Sequence, residues 1–200
     1  MQTMRKILII AALLASVCGT VQVHAVQGNE ASLVKMSDLL RTMPDTLVPY
    51  LSENNRLDMI DFKEARMKAE VRNAQEGRSE LVTLTDRYAD MSLNVAHRLQ
   101  ILLLDVIPAV DSCQYVICVV DTYGTDARES TVRFFSLTWR PLDASRFVNL
   151  PSQVFTAELS EQSEDLTLTL SSYYDRPATE EQQIERIFPI KLKWNQNFFK

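Results

Sequence analysis

The chain has 200 residues, with 21 Lys and Arg against 26 Asp and Glu and a formal net charge of −5. An acidic balance repels phosphate backbones, so no nucleic acid is expected as a partner. With 4 Gly, 2 His and 3 Cys, the chain cannot build a Gly-rich phosphate loop, a dinucleotide fingerprint or most zinc sites, and no cofactor or metal is expected.

Met1–Ala25 has the anatomy of a secretory signal: basic Arg5 and Lys6, an apolar run Ile7–Val17, and a small-residue stop at Val23-His24-Ala25. The run is too short to cross a bilayer, which takes about 20 residues. Cleavage after Ala25 is expected. Cys18 fits a lipid-anchored signal poorly, because Val17 and Ala15 stand where a small residue and Leu are usual. Removing this segment makes the remainder more acidic and leaves His97 as its one histidine. No later segment is long and apolar enough for a transmembrane helix. The expectation is an exported protein of the periplasm or cell surface, with residues 26–200 as one domain.

Val26–Ala31 reads as a tail. Ser32–Met43 carries Leu33, Met36, Leu39, Leu40 and Met43 at helical spacing, with Ser32 as cap and Pro44 as stop. A second short helix is expected over Thr46–Glu53, capped by Asp45 and ended by Asn54-Asn55. A third is expected over Leu57–Met67, capped by Asn55, with Asp58 and Asp61 toward its positive end.

The period then shifts to two. Extended pieces are predicted at Met67–Val71, from Leu81 to Thr85, over Tyr88–Asn94, Arg98–Asp105, Gln114–Thr122 and Thr131–Trp139, with turns at Gln75–Arg78 and Gly124–Asp126. Val106–Ser112, with Pro108, reads as a connection. Leu150–Glu161 reads as a short helix starting at Pro151. Leu166–Leu170 and Phe188–Trp194 alternate as strands, separated by a polar loop at Asp175–Gln182. The predicted class is α+β: N-terminal helices, then a mainly antiparallel, meander-like sheet of six or seven strands. A helix-then-strands echo at Leu57 and Leu150 suggests two similar half-units as an alternative organisation.

Cys113 and Cys118 fall on one predicted strand, which holds their Cα atoms about 16 Å apart. A disulfide takes about 5.5 Å, so no disulfide is expected. His97 has no G-x-S-x-G serine to serve and reads as a strand-end residue. The densest polar run is Asn54-Asn55-Arg56-Leu57-Asp58-Met59-Ile60-Asp61. Asp58 and Asp61 share a helix face, a pairing that suits a helix start and is also the raw material of carboxylate chemistry. Tyr173 and Tyr174, beside a polar loop, suit a ligand or partner surface. The candidate binding residues are therefore Asn54, Asn55, Arg56, Asp58, Asp61, Tyr173 and Tyr174, and no catalytic residue is assigned.

The run NNRLDMIDF, with its surroundings from Asp45 to Val71, resembles a family of exported Bacteroidetes proteins carrying a domain-of-unknown-function label. The similarity extends through Leu84–Tyr88 and Val116–Val120 to Phe134, Trp139, Pro141 and Leu142. The resemblance implies a periplasmic or surface protein of a gut-type bacterium and brings no activity with it.

The function expected from these features is non-enzymatic: an extracytoplasmic binding or accessory protein with a protein or cell-envelope partner. One alternative is a carboxylate-based glycan hydrolase, with Asp58 or Asp61 facing Asp105 or Asp121 across a cleft. The other is an inhibitor-like module presenting an aromatic sheet face.

Overall fold

The runs Ile101–Leu104 and Val116–Val120 show no polar alternation because they lie on central strands covered on both faces. The structure is a computed structural model, and it describes residues 34–110, 113–170 and 189–200. Helix α1 (Met36–Arg41), a 3-10 turn (Asp45–Leu47) and helix α2 (Glu53–Glu64) come first. Seven strands follow: β1 (Glu70–Arg72), β2 (Arg78–Leu84), β3 (Tyr88–Asn94), β4 (His97–Val110), β5 (Cys113–Tyr123), β6 (Glu129–Phe135) and β7 (Pro141–Leu142). Each pairs antiparallel with its neighbour in chain order, forming a seven-stranded meander. A second sheet has the order β10-β9-β8, built from β8 (Phe155–Leu159), β9 (Asp165–Leu170) and β10 (Ile190–Lys193). The fold is α+β and mainly β.

Alternation along each strand divides the interior in two. On one face of the meander, Leu99, Ile101, Leu103, Ile117 and Val119 pack with Met36, Leu40, Met59 and Ile60 of the helices. On the other, Leu102, Leu104, Val116, Cys118 and Val120 pack with Leu166 and Leu168 of the small sheet and with Phe147, Trp194 and Phe199.

Several elements differ from the sequence expectation. The residue capping α1 is Lys35, not Ser32, and Asp45 lies inside the 3-10 turn with Pro44 as its cap, so Thr46–Glu53 is no helix. Asn54 and Asn55 do not end a helix; they sit in the first turn of α2. Ser52 wins the cap position because Asn55 reciprocates. The Asn55 N–H donates to Ser52 Oγ at 3.2 Å, and the Ser52 N–H donates to Asn55 Oδ1 at 3.3 Å. The far end closes with Arg66 in the left-handed region (φ 58°), while the Arg66 N–H donates to Lys63 O and the Met67 N–H to Phe62 O. Those two bonds define a Schellman ending without the usual glycine.

β4 runs on to Val110, and the register breaks between Asp105 and Val110, where Pro108 falls. β6 ends at Phe135. Trp139 lies in the following turn with φ 60°, held by its Nε1–H donating to Leu39 O at 3.2 Å. Leu150–Glu161 contains strand β8, not a helix. The Phe155, Ala157, Leu159 alternation prevails because the meander supplies partners for it. Met1–Ala25, the Val26–Ala31 tail and the Asp175–Gln182 loop lie outside the described residues.

Candidate functional site

The NNRLDMIDF run builds the helical layer. Arg56 is buried, and its guanidinium donates to Asp45 Oδ1 at 2.6 Å and to Leu51 O at 3.3 Å, tying α2 to the 3-10 turn. Asn55 completes the capping box, while Asn54 and Asp58 are exposed. Asp61 accepts from Arg41 at 3.3 Å, which links α2 to α1. The five side chains are not gathered into one pocket. Tyr173 and Tyr174 lie outside the described residues.

The hydrolase geometry is not what these acids build. Asp105 pairs with Arg87 at 2.9 Å, Asp121 is sealed inside the structure, and the pockets beside Arg98 and Trp139 are lined by none of Asp58, Asp61, Asp105 and Asp121. An inhibitor-like face would need an aromatic patch. Among the described residues, the large exposed apolar side chains include one aromatic, Tyr123.

Asp121 anchors a polar row instead. Buried His97 and Asp121 and half-exposed Arg133 come from β4, β5 and β6 and share the helix-facing side with Leu99, Val119 and Phe135 of the same strands. Asp121 Oδ1 lies 3.1 Å from His97 Nε2, and its Oδ2 accepts from Arg133. Tyr123 stacks on the His97 ring at 4.2 Å, and Tyr50 meets it edge-on at 5.8 Å. Burial, aided by the Asp121 carboxylate, pushes the Tyr123 phenol above its ordinary pKa.

The open site lies on the opposite face. There the free edge of β8 abuts the meander through side chains. Gln100 mimics a strand: its Nε2 donates to Leu159 O at 3.3 Å, and its Oε1 accepts from the Leu159 N–H at 3.2 Å. Ser130 Oγ accepts from the Ala157 N–H at 2.8 Å, and Gln100 also donates to Tyr88 Oη at 2.6 Å. Edge groups that would otherwise be open to another chain are thereby satisfied.

Because β8 meets the meander along its edge, the small sheet has one apolar side and one polar side. Leu166 and Leu168 face the core. Thr156 and Glu158 of β8 and Thr167 and Thr169 of β9 face a cleft whose other wall is Asp90, Ser92 and Arg98 of β3 and β4. The cleft has two lobes of about 300 and 460 Å³ that share Asp90, Arg98, Glu158 and Thr167.

Arg98 is its centre. Nε and Nη2 donate to the two oxygens of Asp90 at 2.9 and 2.7 Å, and Nη1 donates to Glu158 Oε1 at 3.1 Å. The Asp90 bonds raise the Arg98 pKa further, so the guanidinium stays charged and fixed as a fork. Tyr88 has its phenol pKa raised by burial. Among the described residues, no group of three or more His, Cys, Asp or Glu is placed to hold a metal ion.

Neither Arg98 nor Glu158 stood out in the sequence, since they are 60 positions apart. The one visible trace was the Leu-Thr-Leu-Thr-Leu alternation of β9, which marks a strand with a hydroxyl-bearing side.

This fold and cleft define a class: an α+β protein in which a seven-stranded meander carries helices on one face and a small sheet on the other. The chain belongs to the family described as "Protein of unknown function (DUF3256)", which matches residues 31–156. That stretch holds the helices, the meander and the beginning of β8. The chain is also similar to a solved structure described as a domain of an uncharacterized protein from Porphyromonas gingivalis W83. The TM-score is 0.65 at 18% identity, covering 82% of this chain and 96% of that one, a likeness of fold. No curated protein matches the chain. Among the described residues, no helix is long and apolar enough to cross a membrane.

Proposed function

We propose that this is an exported, non-enzymatic binding protein of the cell envelope, and that the Arg98 cleft holds a neutral, polyhydroxylated ligand such as a glycan segment. The observation that carries this reading is the lining of the cleft. Ser92, Thr122, Thr156, Thr167 and Thr169 offer hydroxyls, Asn94 offers an amide, and the Asp90–Arg98–Glu158 group offers rigid planar donors and acceptors. Vicinal hydroxyls pair with such planar groups, and a few fixed polar groups set orientation in a pocket of this size. Two acids and the two bases Arg98 and Arg128 line the first lobe, so the local charges balance, which favours a neutral ligand over an ion. Both carboxylates already serve one guanidinium, an arrangement suited to holding hydroxyls and not to moving protons. Export rests on the basic, apolar and small-residue succession of Met1–Ala25.

Calorimetric titration of residues 26–200 with maltotriose, cellotriose and chitotriose tests the binding. At least one sugar should give a saturable one-to-one isotherm, weakened tenfold or more by Arg98→Gln and by Thr167→Val. Heat changes absent for all three, or unaltered by both substitutions, would contradict the reading. Cell fractionation tests export: the mature chain should begin at Val26 and partition with the envelope, and an unprocessed chain in the cytoplasm would refute it.

A further inference from the structure

Strand β7 is too short for the edge it covers. It pairs with β6 at Phe134 and Phe135 alone. Continued in that register, Asp143 would lie opposite Arg133 and Ala144 opposite Val132. The chain instead leaves into a 3-10 turn, Ala144–Arg146, set by Asp143 accepting from the Ser145 N–H at 3.0 Å. The space this leaves beside Val132 and Arg133 is a pocket of about 380 Å³, separate from the Arg98 cleft and walled mainly by Leu47, Phe134, Trp139, Pro141 and Leu142.

The backbone is aimed into the same space. The Ser136 N–H donates outward to Arg140 O at 2.9 Å. By the alternation of an antiparallel strand, Phe134 and Val132 also direct their N–H and C=O to that side. Phe134 is answered by Leu142, whereas Val132 has no backbone partner on that edge among the described residues. The charge around the pocket is opposite to that of the chain. Arg133, which lines it, is already paired with Asp121, but exposed Arg140 and Arg146 flank the lining residues Trp139, Pro141 and Ala144, on a protein of net charge −5. Of the nearby acids, Asp45 is paired with Arg56, whereas Asp143 accepts from the neutral Ser145 and keeps its charge, so Arg140 and Arg146 outnumber it.

We infer that the β6 edge at Val132–Arg133 docks an extended segment of a partner protein, which prolongs β7, inserts one apolar side chain into the Trp139 pocket and carries acidic neighbours toward Arg140 and Arg146. Backbone pairing supplies affinity in this mode of recognition, and the pocket and charges supply the choice of partner. A second copy of this chain is disfavoured by its own negative charge.

Two probes test this on residues 26–200: the peptides acetyl-Glu-Val-Phe-Val-Glu-amide and acetyl-Lys-Val-Phe-Val-Lys-amide. The acidic peptide should slow hydrogen exchange of the Val132 amide at least tenfold and bind at least tenfold more tightly than the basic one. The double variant Arg140→Glu/Arg146→Glu should invert that preference, and Ala144→Trp should abolish binding with the unfolding midpoint unchanged. Arg98→Gln, which disables the polar cleft, should leave peptide binding intact. Equal binding of the two peptides, an unprotected Val132 amide, or protection that appears with protein concentration alone and marks a dimer would each overturn the proposal. Decanoate filling the pocket while the acidic peptide fails to bind would overturn it as well.

Discussion

His97 Nε2 and Asp121 Oδ1 lie 3.1 Å apart with side-chain exposures of 2% and 1%, so a polar pair is held inside the helix-facing core. Arg133 supplies its second contact from β6, and Tyr123 closes the row by stacking on His97. Removing Asp121 leaves the buried His97 Nε2 without its partner, while half-exposed Arg133 turns to solvent, at a cost of about 1–3 kcal/mol. Asp121→Ala should therefore lower the unfolding free energy by about that amount in urea denaturation. A loss under about 1 kcal/mol would show that the row does not stabilise the three-strand junction.

The Asn54–Asp61 run should behave as architecture. Ser52→Ala removes the acceptor of the α2 capping box and is expected to cost about 1 kcal/mol. Asp58→Ala, on an exposed position of the same helix, should change stability by less than about 0.5 kcal/mol. Denaturation midpoints of the two variants distinguish a structural role from a surface held for binding: equal effects would contradict the structural assignment.

Much of this fold was legible because period-two alternation is local. β3, β5 and β9 could be read from their own residues, and short connections made the meander antiparallel. β8 was not legible. Val154, Phe155 and Leu159 fit a helix spacing as well as a strand, and the deciding contacts come from Gln100 and Ser130, far away in sequence. The α2 cap is ambiguous in the sequence for a related reason. Asn is common both just past helix ends and in their first turns, and only the reciprocal Ser52–Asn55 bonds decide between them. The cleft has no sequence signature because its parts are ordinary strand residues until the small sheet brings β8 against β4.

Asp165 gives a pH signature. Lys191 at 2.7 Å and the Ser163 hydroxyl at 2.6 Å hold its carboxyl below the usual range in the folded state. A carboxyl lowered on folding binds protons more readily when unfolded, so stability rises with pH through this window. The contribution is complete above the unfolded value of about 3.9 and disappears as pH falls through the lower folded value. Lys191→Met should flatten the acid limb of a stability-against-pH curve below about pH 4. An unchanged limb would contradict the pairing.

Cys118 should be inert. It is a free thiol on β5, wholly buried between the sheets, and burial drives its pKa far up, away from the reactive thiolate. Iodoacetamide followed by peptide mapping should leave Cys118 unmodified in native buffer and label it in urea without any reductant. Protection in non-reducing urea would mean that it is bonded to another cysteine.

The proposed function places the ligand in the Arg98 cleft. The most direct measurement is amide NMR of residues 26–200 titrated with the maltotriose, cellotriose and chitotriose set. The prediction is saturable shifts centred on Asp90, Ser92, Arg98, Glu158 and Thr167, with Asn54–Asp61 unmoved. Shifts centred on Asn54–Asp61, or no shift anywhere in the chain, would contradict it.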